Sequence, residues 1–522
     1  MKYSILIILL LPGMFTSRAQ QYFNKRYTLH STNTATTSII PIGNGYICTS
    51  FSRDSSYLSD YGIHFSTLDS IGNITRDTAY LKPARSIQAW NNSLIACSPN
   101  HYLLATSIDQ DASYYKYTLL VKFDSIGNVV FDTEYTKTFC PEYAFWYIED
   151  MKPTGTGEWL VLSHIGCTDS SVYSLHQEDM VLTKLDSNFN VIWAKQFGDI
   201  HWDDGCKKIA IAHDGYVLLG WRNNSNQVGI GIHFQAEIIK TDTGGNQLWL
   251  WRSNIAKQTG PVFDILCTKD GGYVYCGLGN GYEKVTGPMG YIYQKGWIEK
   301  LDSDRNVVWN DTIGAMENDL PISALKELLD STIVVAGAIY GGFNPGDTIG
   351  VGHTSACLVK YKPNGELIWR RKYTHFNDSL KGVIYDMKQT PDGGFVLCGE
   401  SDDYNHYYGN TTQQAWVLKV DSNGCSSLTD PQCQADKVKE IAIETTVSAY
   451  PNPARDMVYF ETRPLLPAAR IVIEDILGRQ LASKPITRQK ESIDISALPQ
   501  GVYIYHVYNK DIQLQAGKII KY

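Results

Sequence analysis

The chain has 522 residues, too many for one ordinary domain and enough for a large repeat fold with a smaller unit attached. Hydrophobic residues make up 43% and charged residues 19%, a globular composition that excludes an intrinsically disordered chain. The net charge of -8 argues against a nucleic acid partner, because binding to phosphates needs clustered cations.

Residues 1–19 have the pattern of a secretory signal peptide. Lys2 supplies the positive charge, and the apolar stretch from Ile5 to Phe15 is too short to span a bilayer. A small residue two positions before Ala19 predicts cleavage between Ala19 and Gln20. No transmembrane segment is expected elsewhere, since no other stretch reaches the roughly 18 uncharged apolar residues that a membrane helix needs.

The middle of the chain repeats every 55 to 62 residues, and two independent markers each count seven copies. The first is an Asp in a turn after an apolar strand, replaced by Lys in the sixth copy: Asp69, Asp124, Asp186, Asp242, Asp302, Lys362 and Asp421. Seven positions later, five copies carry an aromatic residue: Phe131, Trp193, Trp249, Trp309 and Trp369. The first and last copies carry Arg76 and Leu428 there. The second is an apolar strand with a small residue four positions after its bulky first residue: Ser50, Thr106, Ser163, Gly220, Gly277, Gly337 and Gly399.

Each copy predicts four short antiparallel strands joined by Gly, Asp and Asn turns, which is the unit of a β-propeller blade. The small residue predicts close packing between neighbouring blades, and the aromatic residue on the fourth strand predicts a large apolar contact with the next blade. The expected fold is therefore all-β, a seven-bladed β-propeller over residues 20–428, with an open solenoid as the alternative.

The seventh copy lacks a fourth strand after Asp421, and the mature N-terminus offers a replacement. Phe23 to Tyr27 repeats the pattern of Trp369 to Tyr373, an aromatic residue, three polar residues and a second aromatic residue. We expect residues 21–29 to pair beside the strand around Ala415 to Asp421, which closes the ring and removes an open sheet edge.

The chain changes character near residue 440, and residues 429–442 are expected to form a linker. Beyond it, alternating apolar residues between Pro and Gly turns predict five to seven strands of a small β-sandwich. Its motifs are a Tyr-Pro-Asn-Pro start, a central Gly-Arg turn, a Leu-Pro-x-Gly-Val-Tyr strand and a final Lys-Ile-Ile-Lys, and their main residues are Tyr450, Pro451, Asn452, Pro453, Gly478, Gly501, Tyr503, Lys518 and Lys521.

Over residues 443–522 these motifs closely resemble the type A C-terminal sorting domain of the type IX secretion system. The resemblance implies export through the periplasm and across the outer membrane of a Gram-negative bacterium by that machinery. It also implies removal of the domain by a sortase-like peptidase, which leaves the cargo secreted or attached to the outer cell surface. The repeats resemble the propellers common among secreted cargo of the same system, which implies a fold and leaves the activity open.

The motifs of common catalytic and metal sites are missing from the sequence. It contains no His-Glu-x-x-His, no Cys-x-x-Cys and no Gly-x-Ser-x-Gly. Asp302 to Asn306 resembles half of a calcium loop, but Val307 and Ile313 stand where Gly and Glu are needed. No catalytic residue, cofactor or metal ligand is therefore predicted. The repeated Asp is expected to accept hydrogen bonds from its own turn amides.

The 11 cysteines are expected in an oxidising compartment, where disulfides can form. Cys425 and Cys433 are close in sequence beyond the last repeat and are the predicted pair. Cys276 and Cys398 share a repeat position that is apolar in other copies, so they are expected to be buried fillers.

The second loops of the repeats are long and aromatic, and in a propeller all seven meet at one rim, where function is expected. The candidate binding residues are Trp221, Tyr282, Tyr291, Tyr293, Tyr340, Phe343, Tyr404, His406, Tyr407 and Tyr408. Such residues suit a glycan or protein ligand, although they could equally cap the channel.

Three functions stay open at this point. The first is a binding or structural propeller, and the second is a module of a larger surface assembly. The third is a carbohydrate-active hydrolase or lyase, which would need paired carboxylates from loop acids such as Asp347, Asp402, Asp403 and Glu283.

Overall fold

A computed structural model describes most of the chain beyond the predicted signal peptide. The described residues are 22–29, 33–53, 61–82, 85, 87–88, 94–109, 116–135, 144–168, 176–198, 203–223, 234–253, 261–284, 291–314, 322–340, 354–375, 380–403, 413–433, 446–463, 469–475, 479–509 and 512–522. They form two compact units, Met1–Asp430 and Pro431–Tyr522.

In the first unit the described strands form seven antiparallel sheets, numbered here in chain order. Sheet 1 contains β2 (Thr34–Ile42), β3 (Gly45–Arg53), β4 (Tyr61–Leu68) and β5 (Ile74–Tyr80). Sheet 2 contains β6 (Ile87–Gln88), β7 (Leu94–Ser98), β8 (His101–Asp109), β9 (Lys116–Asp124) and β10 (Val129–Tyr135). Sheet 3 contains β11 (Ala144–Pro153), β12 (Trp159–Thr168), β13 (His176–Leu185) and β14 (Val191–Phe197). Sheet 4 contains β15 (Asp203–Ala212), β16 (Gly215–Asn223), β17 (Phe234–Thr241) and β18 (Gln247–Arg252). Sheet 5 contains β19 (Val262–Cys267), β20 (Tyr273–Lys284), β21 (Tyr291–Leu301) and β22 (Val307–Ile313). Sheet 6 contains β23 (Ile322–Glu327), β24 (Ile333–Tyr340), β25 (Thr354–Tyr361) and β26 (Leu367–Tyr373). Sheet 7 contains β27 (Leu380–Gln389), β28 (Phe395–Asp403), β29 (Gln413–Val420) and β1 (Phe23–Tyr27).

Six of these sheets have four strands, and sheet 2 has five. Its first strand is divided, since β6 and β7 both pair with β8, at Ile87 opposite Ile108 and at Leu94 opposite Leu104. The four-strand prediction therefore needs this correction for the second repeat.

The N-terminal strand β1 forms the outer edge of sheet 7. It pairs antiparallel with β29, with Phe23 opposite Lys419 and Tyr27 opposite Ala415. The predicted pairing of the mature N-terminus with the last repeat is thus confirmed for β1. Sheet 7 shares an apolar core with sheet 1, in which Phe23 and Val417 meet Ile39 and Tyr46.

The repeated Asp forms the turn between the third and fourth strands, as predicted. In sheet 1, Asp69 Oδ1 accepts hydrogen bonds from the amides of Ile71 (3.0 Å) and Asn73 (2.7 Å). Asp124, Asp186 and Asp242 make the same pair of contacts. These bonds satisfy turn amides that the strands cannot pair, which explains why Asp recurs there.

The fourth-strand aromatic residue packs on the next sheet, as predicted. The ring centroid of Trp249 lies 5.6 Å from that of Tyr273, which opens the second strand of sheet 5. Phe23 takes the same place in sheet 7, with its ring centroid 5.6 Å from that of Tyr46 in sheet 1. The turn glycine Gly72 has φ +76°, and a Cβ there would lie within 3 Å of the Phe23 ring, so the turn requires glycine on two grounds.

The small residue of the second strand is closely packed, in part against its own sheet. A Cβ on Gly399 would lie 1.8 Å from the carbonyl oxygen of Val383, and one on Gly277 would lie 2.6 Å from that of Pro261. Val383 lies in the first strand of the same sheet as Gly399, and Pro261 directly precedes the first strand of the same sheet as Gly277. Both positions are next to a β-bulge. At these two positions the close approach is within a sheet, next to a β-bulge. At Gly220 a Cβ would also lie 2.7 Å from Met180 Cε of sheet 3, so the predicted packing between neighbouring sheets is present there.

The second unit contains two sheets that share one apolar core. One sheet has the order β30 (Thr446–Tyr450), β31 (Met457–Arg463), β34 (Lys490–Asp494), and the other has the order β33 (Gln480–Pro485), β32 (Ala469–Glu474), β35 (Gly501–Asn509), β36 (Ile512–Lys521). Val458 and Phe460 of the first sheet pack with Ile471, Val507 and Ile519 of the second. This arrangement agrees with the predicted small β-sandwich.

Candidate functional site

The predicted rim residues fall mostly outside what the structure describes. Phe343, Tyr404, His406, Tyr407 and Tyr408 lie outside the described residues, as do Ala19 and Gln20 at the predicted cleavage site. The backbone of Tyr282, Tyr291, Tyr293 and Tyr340 lies in β20, β21 and β24, and their side chains are outside the description. Trp221 lies on β16, and its ring centroid is 6.3 Å from that of His164 in sheet 3, so this ring packs between sheets. The rim stays a prediction.

The boundary between sheets 7 and 1, called the seam below, carries a direct polar link. The carboxylate of Asp386 accepts a hydrogen bond from the backbone N–H of Ile39 at 3.1 Å. The same link joins sheet 3 to sheet 4, from Ile209 N–H to Asp150, and sheet 5 to sheet 6, from Leu325 N–H to Asp264. Each aspartate follows a β-bulge in the first strand of its sheet, and a bulge re-aims a side chain.

A second repeated contact ties the first turn of a sheet to its third strand. A Lys two positions before the turn Asp forms an ion pair with an acid of the first turn. The pairs are Lys184–Glu158 (2.8 Å), Lys240–Asp214 (2.5 Å), Lys300–Asp270 (2.5 Å) and Lys419–Asp392 (2.9 Å). This contact was missed at the sequence level, although the Lys-x-Asp spacing is its visible signal.

A cleft of about 360 Å³ opens at the seam, on the side of the tight turns. It is lined by Pro41, Gly43, Asn44, Gly45, Tyr46 and Ser70 of sheet 1 and by Thr390, Pro391, Asp392 and Lys419 of sheet 7. Its volume lies within the usual range for small-molecule sites. The cleft lies at the tight turns, whereas the rim predicted from the sequence is formed by the second loops.

The two charged groups of the cleft neutralise each other. Lys419 Nζ donates to Asp392 Oδ2 at 2.9 Å and to the carbonyl oxygen of Val420 at 2.8 Å. Burial opposes the charged form of Asp392, but hydrogen bonds from Thr390 and Lys419 outweigh it and lower the pKa of this carboxyl. The pair therefore presents little net charge to a ligand.

Tyr46 is a neutral hydrogen-bonding group in the same wall. Burial, with a smaller contribution from the Asp392 charge, raises the pKa of Tyr46 to about 12. Its hydroxyl consequently stays protonated near neutral pH and can both donate and accept a hydrogen bond.

A buried chain of three polar side chains crosses sheet 1. Ser52 Oγ lies 2.9 Å from His64 Nε2, and Asp77 Oδ2 lies 2.7 Å from His64 Nδ1. This is the order of a Ser-His-Asp triad. Only 7% of Ser52 and 3% of His64 is exposed, and Ser66 donates to the other oxygen of Asp77. We interpret the chain as a crosslink between β3, β4 and β5.

The other predicted side chains have mixed outcomes. Cys276 and Cys398 are fully buried, as predicted, and burial raises the pKa of both thiols. Cys425 and Cys433 are each disulfide-bonded. Of the loop acids, Asp402 lies in β28, Asp347 lies outside the described residues, and the side chains of Asp403 and Glu283 are outside the description.

Metal-ligating clusters and membrane-spanning helices are both missing from the described part of the chain. No described group of three or more His, Cys, Asp or Glu side chains could hold a metal ion. Among the described residues, no helix is long and apolar enough to cross a membrane.

The Tyr-Pro-Asn-Pro motif fastens the start of the second unit to its final strand. The amide of Asn452 donates to the carbonyl oxygen of Lys518 at 2.6 Å and accepts from the N–H of Ile520 at 2.8 Å. Lys521 Nζ donates to the carbonyl oxygen of Arg455 at 2.5 Å. These contacts explain why the first motif and the final basic motif occur together.

Two further motif residues have packing roles in the same unit. The ring of Tyr450 stacks on Tyr459 at 6.1 Å, and the Tyr503 hydroxyl donates to the carbonyl oxygen of Pro499 at 2.6 Å. Pro451, Pro453 and Lys518 are exposed, and Gly478 lies outside the described residues.

Comparison with known proteins identifies this second unit. Residues 448–522 match a protein family described as "Secretion system C-terminal sorting domain". The chain is therefore cargo of the type IX secretion system, with a β-propeller-like repeat domain before its sorting domain. The sorting domain marks it for secretion or for the cell surface.

Similar solved structures cover much of the chain at low identity. The extracellular region of plexin A4 has a TM-score of 0.45 and 8% identity, covering 96% of this chain and 62% of the plexin. An acylaminoacyl peptidase of Pyrococcus horikoshii has a TM-score of 0.40 and 11% identity, covering 83% and 58%. An alpha-L-arabinanase of Penicillium chrysogenum, complexed with arabinobiose, has a TM-score of 0.37 and 8% identity, covering 77% and 97%. This chain thus spans about 60% of the plexin and the peptidase. No curated protein matches it significantly.

Proposed function

We propose that the first unit is a closed seven-bladed β-propeller. Two observations support this: consecutive sheets share apolar cores, and sheet 7 shares one with sheet 1. The Asp386–Ile39 bond repeats at the seam a link that joins consecutive sheets elsewhere. A closed ring has no exposed edge at its ends, which suits a protein that works outside the cell.

We propose further that this propeller is an extracellular recognition module for a glycan or protein, delivered to the outside of a Gram-negative bacterium through the periplasm. After delivery a sortase-like peptidase would remove the sorting domain. The observation that carries the proposal is the combination of an export domain with a rigid scaffold that has an open cleft with several polar side chains in its wall.

The test is binding and turnover measured together on the secreted protein. Arrays of bacterial and plant glycans, and of host extracellular proteins, should show saturable binding with no release of shortened products by chromatography. Product release without saturable binding would favour the hydrolase or lyase alternative. If the protein shows no binding and no turnover on any array, the recognition function is contradicted.

A further inference from the structure

We propose that the seam cleft binds a neutral carbohydrate, and this inference rests on the proposed recognition function. The reason begins with a comparison of two equivalent first turns. Thr390-Pro391-Asp392-Gly393-Gly394 in sheet 7 forms the same turn as Thr268-Lys269-Asp270-Gly271-Gly272 in sheet 5. In both turns the threonine amide donates to the second glycine, and the threonine hydroxyl donates to the aspartate.

At the boundary of sheets 5 and 6, Lys269 fills the space that is open at the seam. Its Nζ donates to the carbonyl oxygens of Leu328 and Leu329 at 2.7 Å each, and its N–H donates to Glu327 at 3.0 Å. The side chain therefore bridges the first turns of two neighbouring sheets.

Pro391 occupies the position of Lys269 at the seam and can make neither contact. Proline has no N–H to donate and a ring too short to bridge two turns. On the opposite side, Pro41 takes the place of Glu327, because each pairs with the bulky residue near the start of the second strand, Tyr46 and Ile333. The turn that follows contains Gly43 and Gly45, which have no side chains. The cleft is thus built into the sequence of this one boundary.

The chemistry of the wall selects the ligand. Asp392 and Lys419 form an ion pair with side chains 15% and 2% exposed, so neither a free anion nor a free cation finds an uncompensated opposite charge. The Thr390 hydroxyl donates to Asp392, and three further neutral groups line the cleft: the Asn44 amide and the hydroxyls of Tyr46 and Ser70. An amide and hydroxyls around a small cleft match the alternating donors and acceptors of a sugar ring.

The size of the cleft limits the ligand to one or two sugar units. At about 360 Å³ it lies near the lower end of the range for small-molecule sites. Its opening to solvent between two turns would allow a longer chain to enter by its end. We therefore expect recognition of a terminal residue.

Saturation-transfer NMR on the mature full chain tests this inference. The probes are neutral monosaccharides and disaccharides (hexoses, N-acetylhexosamines, deoxyhexoses and pentoses), with a uronic acid, a hexose phosphate and inorganic phosphate as charged comparators. At least one neutral sugar should show saturation transfer, and the charged probes should bind no more tightly. Inorganic phosphate has no carbon-bound protons to observe and is read as a competitor of the sugar signal. Loss of that signal at phosphate concentrations below that of the sugar, or no transfer to any neutral sugar, would overturn the proposal.

The variant Pro391→Lys locates the site, since it restores the bridging residue of the equivalent turn and should abolish transfer. Lys269→Pro is the matched control at the boundary of sheets 5 and 6 and should leave sugar binding unchanged. Asn44→Ala and Ser70→Ala, both in exposed turns, should each weaken binding by about two- to ten-fold, the usual effect of one hydrogen bond. If glycan-array binding persists in Pro391→Lys, the recognition function stands and the cleft assignment is wrong.

Discussion

Asp386 in the last sheet accepts a hydrogen bond from the backbone of Ile39 in the first sheet, across 347 residues of sequence. Asp386 is 1% exposed, and its other oxygen accepts from the N–H of Met387 and from Lys388. The seam therefore has the same aspartate-to-amide hydrogen bond as two boundaries between consecutive sheets. It forms there although β29 and β2 are not consecutive in the sequence.

Removing this link should loosen the seam. Asp386→Ala should lower the free energy of unfolding by about 1–3 kcal/mol, because it leaves the buried amide of Ile39 without its acceptor. Asp386→Asn keeps an acceptor oxygen and should recover part of the loss. Denaturant unfolding measures both, with the exposed Asp304→Ala as control. Equal stability of all four proteins would show that the link contributes nothing.

The N-terminal strand should matter as much as an internal one. Phe23 is 7% exposed, so Phe23→Ala should cost about 3–5 kcal/mol, the usual loss for a buried Phe. Deletion of residues 20–30 should also expose the edge of β29 and promote aggregation. Thermal unfolding with light scattering measures both effects. The exposed Asp304→Ala is again the control. Asn24, although closer in sequence, is unsuitable because it accepts a hydrogen bond from Trp416. If the deletion variant melted at the same temperature as the full-length protein, the proposed closure would be contradicted.

Acid should weaken the contact between sheets 3 and 4. Burial opposes the charge of Glu149, but Lys207 and His164 outweigh it and lower the pKa of Glu149 to about 2. A lowered carboxyl pKa stabilises the fold above the ordinary value near 4.5 and loses that contribution as the pH falls towards 2. The loss should be on the order of 2–3 kcal/mol. Glu149→Gln should flatten the dependence of unfolding free energy on pH between 5 and 2, and an unchanged slope would contradict the assignment.

The Ser52–His64–Asp77 chain should behave as a crosslink. Ser52→Ala and Asp77→Asn should each lower the melting temperature. The first removes the buried hydrogen bond to His64 Nε2, and the second replaces the carboxylate that contacts His64 Nδ1 and Ser66 with a neutral amide. A fluorophosphonate probe should leave Ser52 unmodified in the folded protein, because the hydroxyl is buried. Mass spectrometry of the treated protein checks this, and a stoichiometric adduct on Ser52 would show a reactive serine instead.

Deletion of residues 443–522 should leave the propeller folded and trapped in the periplasm. The motivation is the sorting-domain match over residues 448–522 and the separate core of this unit. Cell fractionation with protease protection shows the location, and the full-length chain is the control. Normal amounts of the truncated protein at the cell surface would contradict a role for this unit in export.

Local patterns were enough for the elements and for the sorting domain. The turn Asp, the fourth-strand aromatic residue and the pairing of Phe23–Tyr27 all follow from repeat spacing, because each repeat meets the same neighbours. The Tyr-Pro-Asn-Pro and Lys-Ile-Ile-Lys motifs could also be recognised in the sequence. They are joined by a hydrogen bond from the Ile520 N–H to the side chain of Asn452.

Other features depended on contacts between residues far apart in sequence. The close contacts of Gly277 and Gly399 within their own sheets were not predicted, because a β-bulge at Asp264 or Asp386 has no reliable signature in a single sequence. The cleft also needed the fold: Pro391 and Gly43 are ordinary turn residues by themselves. Neither residue has a side chain long enough to bridge the two turns, and this leaves a gap where sheet 7 meets sheet 1. Only the tertiary structure brings those two turns together.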